Sequence, residues 1–167
     1  AKRLSAFEAS ILVYDPYVDP ERIKEIGARA LELDALMEQS DFITLHCSTV
    51  PETVGLISAQ RIALMKPTAY LVNTASAYVV DNQALAQALK ERRIAGAAFD
   101  VYQTWPVKAE DPLLKLDNVI LTPHIGGATE ETVVRHSQMI ADDIERFLRG
   151  QRPKNMLNPQ VWEKGVR

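Results

Sequence analysis

Residues 70–101 read YLVNTASAYVVDNQALAQALKERRIAGAAFDV. Three segments stand out. Tyr70–Asn73 is a short β-rich run. Asp81 caps Asn82–Arg92, whose Leu85, Ala88 and Leu89 fall on one helical face. Ala95–Phe99 is a second apolar run, ended by Asp100. A strand, a helix of about ten residues and another strand make a βαβ unit, which predicts parallel neighbours in one sheet.

The same alternation extends in both directions. Upstream, Ile11–Tyr14 is a strand closed by Asp15-Pro16. Pro20 to Ile26 is helical, with Asp19 as cap and Gly27 after its end. Ala30–Leu33 is a brief strand, and Asp34 caps a helix over Ala35–Gln39. Phe42–His46 is a strand. A helix runs from Ser58 through Met65, stopped by Lys66-Pro67. Downstream, Gln103–Lys115 is a loop and Val119–Leu121 a strand stopped by Thr122-Pro123. Thr129 caps a long helix, Glu130–Leu148, ended by Gly150, with acids first and bases last as the helix dipole prefers. The expected architecture is α/β, with a parallel sheet covered on both faces. Residues 1–150 form the domain, and Gln151–Arg167 leaves it as an extended polar segment.

Composition narrows the function classes. The chain has 167 residues, 47% apolar and 25% charged, enough for one domain with a core. Its net charge of -3 lacks the basic excess of a nucleic-acid binder. No apolar stretch approaches the roughly 20 residues that span a bilayer. One cysteine, Cys47, excludes an internal disulfide framework and fits the reducing cytoplasm. No Cys/His spacing suggests zinc, and there is no Gly-x-Ser-x-Gly elbow, Walker loop or Gly-x-Gly-x-x-Gly.

In open α/β sheets ligands bind beyond the carboxyl ends of the strands. Those ends carry Asp15, His46-Cys47-Ser48, Thr74-Ala75-Ser76, Asp100, and His124 with Gly126 and Gly127. Asp15 is either an acceptor for ribose hydroxyls or a turn former ahead of Pro16. His124 is either a general acid/base near neutral pH or a hydrogen-bonded loop histidine. His46 is read as structural, His136 as a mid-helix surface or packing residue, and Cys47 as a small apolar residue rather than a nucleophile.

Seven motifs occur in order: Leu12-Val13-Tyr14-Asp15-Pro16, Thr44-Leu45-His46-Cys47, Pro51-Glu52-Thr53-Val54-Gly55-Leu56-Ile57, Met65-Lys66-Pro67, Val72-Asn73-Thr74-Ala75, Ile94-Ala95-Gly96-Ala97-Ala98-Phe99-Asp100-Val101 and Thr122-Pro123-His124-Ile125-Gly126-Gly127. Over residues 1 to about 160 the chain resembles the cofactor domain of the NAD-dependent D-isomer-specific 2-hydroxyacid dehydrogenases, the group containing phosphoglycerate dehydrogenase. The resemblance implies a Rossmann-like, doubly wound, mostly parallel sheet. It implies NAD as cofactor and a small 2-hydroxy or 2-oxo acid as substrate. Asp15 falls where the family's acid binds the adenosine ribose. Cys47 and Thr53 fall in loops lining the dinucleotide, and Thr74, Ala75 and Ser76 beside the nicotinamide ribose. Asp100 falls near the nicotinamide amide, and His124, followed by Gly126-Gly127, at the acid/base histidine.

Three departures accompany the resemblance. Ser76 stands where the family has an arginine that grips the substrate carboxylate, and a hydroxyl cannot supply that permanently charged fork. Trp105, before Pro106, stands where a glutamate holds the histidine protonated; an indole only donates. Glu110 and Asp111 would need another loop path to replace that glutamate. The family also has a strand, a Gly-rich turn, the first part of a helix and a substrate domain before the equivalent of Ala1, so Ala1–Ala9 corresponds to that helix's last turns.

The missing strand is central, so its absence is expected to part Ile11–Tyr14 from Phe42–His46 and leave open strand edges. The chain is expected to be a catalytically impaired cofactor-domain fragment with weak or absent NAD binding. The alternative is a non-catalytic, degenerate or engineered Rossmann-like module. Either version is expected to form a homodimer or strand-exchanged oligomer.

Overall fold

Short β-rich runs alternate with helices that carry their own caps, and the chain folds accordingly. In this computed structural model residues 2–165 are described; Ala1 of the expected first helix and residues 166–167 of the expected tail lie outside the described residues. The elements are α1 (Lys2–Ser5), β1 (Leu12–Val13), α2 (Pro20–Glu25), β2 (Arg29–Ala30), α3 (Leu33–Gln39), β3 (Phe42–Leu45), α4 (Ala59–Leu64), β4 (Tyr70–Asn73), α5 (Asn82–Lys90), β5 (Gly96–Phe99), β6 (Val119–Leu121), α6 (Glu130–Leu148) and α7 (Gln160–Glu163). Asp19, Ser58, Asp81 and Thr129 each accept a backbone N–H in the first turn of α2, α4, α5 and α6, satisfying donors that a helix start leaves open. Gly150, with φ +68°, ends α6 in the left-handed conformation that glycine adopts without strain.

The chain divides into two compact units, one ending at Pro123 and the other beginning at His124. In the first unit every strand pairing is parallel. As expected, the first two strands lie apart from the rest: β1 and β2 form a two-stranded sheet, while the other four are ordered β3-β4-β5-β6. The register aligns Ile43 with Leu71 and Ala97, and Leu45 with Asn73 and Phe99. These residues form one face, against which Leu33 and Met37 of α3, Ile62 of α4, and Leu85 and Leu89 of α5 build the core.

The other face carries Phe42, Tyr70 and Ile120, and Phe42 and Ile120 are 72% and 69% exposed. Phe42 and Tyr70 stack on each other, with centroids 5.3 Å apart. Tyr70 also explains Gly96: a Cβ there would come within 2.7 Å of the Asn118 carbonyl oxygen and 2.9 Å of the Tyr70 ring.

Three local expectations are corrected. Asp34 does not cap α3: the helix begins two residues earlier than expected, Glu32 holds the cap position without a side-chain bond, and Asp34 instead pairs with Arg61 at 2.8 Å. The 103–115 loop contains a 3₁₀ turn over Pro112–Lys115, capped by Asp111, which accepts from the Leu113 N–H at 3.0 Å. In the second unit the tail is not wholly extended. It forms α7, whose Trp162 packs edge-on against Phe147 of α6.

Candidate functional site

The end of β4 is shaped by one side chain. Asn73 is fully buried, and its Oδ1 accepts from the N–H groups of Ala75 (3.1 Å) and Ser76 (3.2 Å) while its Nδ2 donates to the Ser76 carbonyl (2.8 Å). The Thr74-Ala75-Ser76 turn is therefore wrapped around Asn73, which supplies hydrogen bonds that a strand end would otherwise take from water. Ser76 Oγ accepts from Thr49 Oγ1 at 2.6 Å and from the Tyr78 N–H at 3.3 Å.

Thr49 belongs to the loop after β3, so this contact brings the Cys47–Thr53 loop against the Ser76 turn. Thr53 Oγ1 closes that loop on itself, donating to the Ser48 carbonyl (2.7 Å) and accepting from the Val50 N–H (2.9 Å). Cys47 is half-buried against the core, as the reading of a small apolar residue requires. A parallel bridge between Ile57 and Val80 ties the two segments together further along. Exposed His46 pairs with Thr44 across 3.0 Å.

The end of β5 holds a buried carboxylate. Asp100 is 5% exposed, its N–H donates to the Asn73 carbonyl at 3.1 Å, and its Oδ1 accepts from Thr122 Oγ1 at 2.5 Å. The Tyr102 hydroxyl donates to the Thr122 carbonyl at 2.8 Å. Burial, with Asp100 and Asp111 nearby, pushes the Tyr102 phenol above its ordinary range. Tyr102 therefore stays a neutral donor and locks the end of β6 to the segment leaving β5. Half-exposed Tyr78 reaches the same segment, donating to the Gln103 carbonyl at 3.3 Å. Trp105 is exposed and lies beside Tyr102, ring centroids 6.0 Å apart. A cleft of about 320 Å³ opens between the start of α5 and this loop, with Tyr102, Lys108 and Asp111 among its walls.

The structure thus joins Ser76, the Cys47–Thr53 loop, Asp100 and Thr122 through a continuous hydrogen-bonded set. Asp15 is placed separately, on the two-stranded sheet, where its Oδ1 accepts from the Tyr17 N–H at 2.9 Å. His124, Gly126 and Gly127 open the second unit. The φ of His124 is +56°, a conformation that costs a non-glycine residue about 1 kcal/mol or more and recurs at functional positions. Asn73, Thr49 and Thr122 do not figure among the sequence-derived site residues. For Asn73 the available signal is an amide ending an apolar strand run.

The polar groups at these strand ends are of the kind that hydrogen-bond ribose hydroxyls and amides. Asp15 keeps an exposed carboxylate oxygen beside its turn, suited to ribose hydroxyls. The ends of β4 and β5 carry the Ser76 hydroxyl and the Asp100 carboxylate. These 167 residues include no Gly-x-Gly-x-x-Gly turn of the kind that cradles a pyrophosphate.

Comparison with known proteins agrees. The family profile "D-isomer specific 2-hydroxyacid dehydrogenase, NAD binding domain" matches residues 1–126. A glyoxylate reductase of Korarchaeum cryptofilum is 43% identical over 161 residues, which are 96% of this chain and 48% of that protein. A D-3-phosphoglycerate dehydrogenase of Archaeoglobus fulgidus is 41% identical over 158 residues, 95% of this chain and 30% of that protein. The NAD-complexed crystal structure of a D-isomer specific 2-hydroxyacid dehydrogenase from Lactobacillus delbrueckii ssp. bulgaricus superposes with a TM-score of 0.84 at 29% identity, covering 95% of this chain and 51% of that one. The chain therefore spans between 30% and 51% of the length of these relatives.

Proposed function

This chain belongs to the D-isomer specific 2-hydroxyacid dehydrogenases, within their NAD-binding domain, and from that premise we propose that it is a cofactor-domain portion that holds the two ends of NAD but is catalytically impaired by itself. The observation that carries the proposal is the Asn73–Ser76–Asp100–Thr122 hydrogen-bonded set at the carboxyl ends of β4, β5 and β6, where this fold receives its ligand.

Asp15 accepts the adenosine ribose hydroxyls. Cys47 and Thr53 line the dinucleotide, Thr74, Ala75 and Ser76 lie beside the nicotinamide ribose, Asp100 lies near the nicotinamide amide, and Gly126 and Gly127 contribute to the cofactor site. The cofactor would supply hydride chemistry there, accepting hydride as NAD and donating it as NADH. His124 moves a proton at the oxygen of a small 2-hydroxy or 2-oxo acid. Ser76 offers that acid a hydrogen bond and no positive charge, and Trp105 offers the histidine no acceptor. Losing the charged anchor alone weakens transition-state binding by several kcal/mol, on the order of 10³-fold in rate.

Residues 1–150 make up the cofactor portion and 151–167 an extension from it. The setting is cytoplasmic, supported by the single cysteine, and no helix among the described residues is long and apolar enough to cross a membrane. The working form is a homodimer or strand-exchanged oligomer.

The test is saturation-transfer NMR with NAD on the purified chain, together with assays of NADH oxidation by glyoxylate, pyruvate and hydroxypyruvate. The expected result is transfer to the adenosine protons, abolished by Asp15→Ala, a dissociation constant above about 1 mM, and no turnover. Measurable turnover overturns the impairment. Absence of transfer overturns cofactor binding and leaves the reading of a non-catalytic module, which Ser76 and Trp105 favour.

A further inference from the structure

The segment leaving β5 makes a tight turn before the 3₁₀ turn at Pro112. The Asp111 N–H donates to the Lys108 carbonyl at 3.0 Å, so Lys108 and Asp111 stand at the two ends of one turn. Their side chains nevertheless stay apart. Asp111 turns its Oδ1 to the Leu113 N–H at 3.0 Å, and among the described residues Lys108, Glu110 and Asp111 form no ion pair. All three border the cleft of about 320 Å³ beside the start of α5. Its apolar lining includes Phe99 and Leu113, which are 3% and 5% exposed. Tyr102 forms another wall, and its phenol is pushed up by burial first and then by the charges of Asp100 and Asp111. The field at that wall is therefore negative. On the α5 side, Asn82 donates from its Nδ2 to the Ala77 carbonyl at 3.2 Å, while its buried Oδ1 accepts no hydrogen bond.

We propose that this cleft binds a small zwitterion, an α-amino acid with an apolar side chain. Such a molecule brings both of the counter-charges that the walls lack. Its carboxylate pairs with the Lys108 ammonium. Its ammonium goes to Asp111 and the face of Tyr102, where the acids and the ring's negative face both favour a cation. The ammonium also brings N–H donors to a cleft whose Asn82 wall has an acceptor to spare. The apolar side chain lies against Phe99 and Leu113 and leaves water there. The volume is at the small end of the range for ligand pockets, suited to one molecule of this size. An anion without an ammonium meets two carboxylates for one lysine, and a cation without a carboxylate leaves Lys108 unmatched. None of the residues assigned to the cofactor lines the cleft, so the inference is independent of cofactor binding.

Calorimetric titration and amide NMR of the intact chain with free leucine test it. Isoamylamine, which lacks the carboxylate, and isocaproate, which lacks the ammonium, are the comparison ligands. Leucine is expected to bind with a dissociation constant of about 1 mM or tighter and to shift the amides of Asn82, Gln83 and Leu113. Each analogue is expected to bind about tenfold more weakly, having lost one charged hydrogen-bonding end. Lys108→Met keeps the stem and removes the ammonium, and is expected to weaken leucine about tenfold while leaving isoamylamine unchanged. Asp111→Asn keeps an oxygen for the Leu113 N–H, and is expected to weaken leucine similarly while leaving isocaproate no weaker. Asp15→Ala, which removes the proposed cofactor contact, is expected to bind leucine as the parent does. Should Asp111→Asn fail to fold, exposed Lys108 still decides. Absence of shifts at about 20 mM leucine overturns the proposal. So does an analogue that binds as tightly as leucine, or Lys108→Met with the parent's affinity for leucine.

Discussion

Replacing Asn73 with alanine tests the central argument about the site, that one buried amide shapes the turn after β4. The substitution removes three hydrogen bonds, two accepted from the Ala75 and Ser76 N–H groups and one donated to the Ser76 carbonyl. At about 1 kcal/mol each, the loss is about 3 kcal/mol, and the space left at a fully buried position adds to it. For a protein of this size each kcal/mol lowers Tm by about 2–4 °C, so a fall of about 6–12 °C is expected. Thermal melts followed by circular dichroism measure it. Thr49→Val is the control: it removes only the exposed Thr49–Ser76 bond, about 1 kcal/mol or less, and shifts Tm by no more than about 4 °C. If Asn73→Ala melts within about 3 °C of the parent, or no lower than Thr49→Val, the turn does not depend on that amide and the reasoning fails.

Other perturbations have equally definite outcomes. Asp81→Ala removes the cap bond to the Ala84 N–H and should cost about 1 kcal/mol, seen as a small drop in Tm; an unchanged Tm refutes the cap's contribution. Gly96→Ala forces a Cβ against the Asn118 carbonyl and should destabilise by about 1–3 kcal/mol in denaturant titration, although Gly→Ala at a compatible site stabilises. Asp143 accepts amides from Lys154 and Asn155, and the Lys154 N–H foremost holds its carboxyl below the ordinary carboxylate range. Its contribution to tail docking is thus fully present above the ordinary value and is lost as pH falls through the lowered one. The amide NMR shifts of Lys154 and Asn155 should titrate with a midpoint below that of a free aspartate, and a midpoint at or above it refutes the clamp.

Local chemistry written into adjacent residues is what the sequence makes legible. Asp81, Thr129 and Ser58 cap where they stand because a cap needs only its own next three residues, and β4 and β6 have the expected bounds. Asp34 shows the limit. As a helix-starting acid it reads as a cap, but Arg61, 27 positions away, takes its carboxylate, and such distant pairing has no local signature. Trp162 misleads for the same reason: a polar, proline-bearing tail reads as extended until Phe147 offers an aromatic partner. In the site, Asp15, Ser76 and Asp100 stand out by their positions after strands. Thr49 and Thr122, which tie those ends together, are ordinary threonines in sequence and gain their roles only through parallel pairing. The positive φ of His124 is equally hidden, since nothing in its side chain demands it.

The pairing of β1 with β2 has a consequence for how cofactor would be recognised. Two-residue strands, held outside their own span by the Arg29 N–H to Ile11 and the Leu31 N–H to Val13, have few interactions to protect them. A two-stranded ribbon of that size is marginal without further support. Its amides should exchange with deuterium well before those of β4 and β5, making it the first piece of the first unit to open. Asp15 sits on that piece. Any ligand that grips Asp15 must therefore order the ribbon as it binds, and part of its affinity becomes the free energy of folding these few residues.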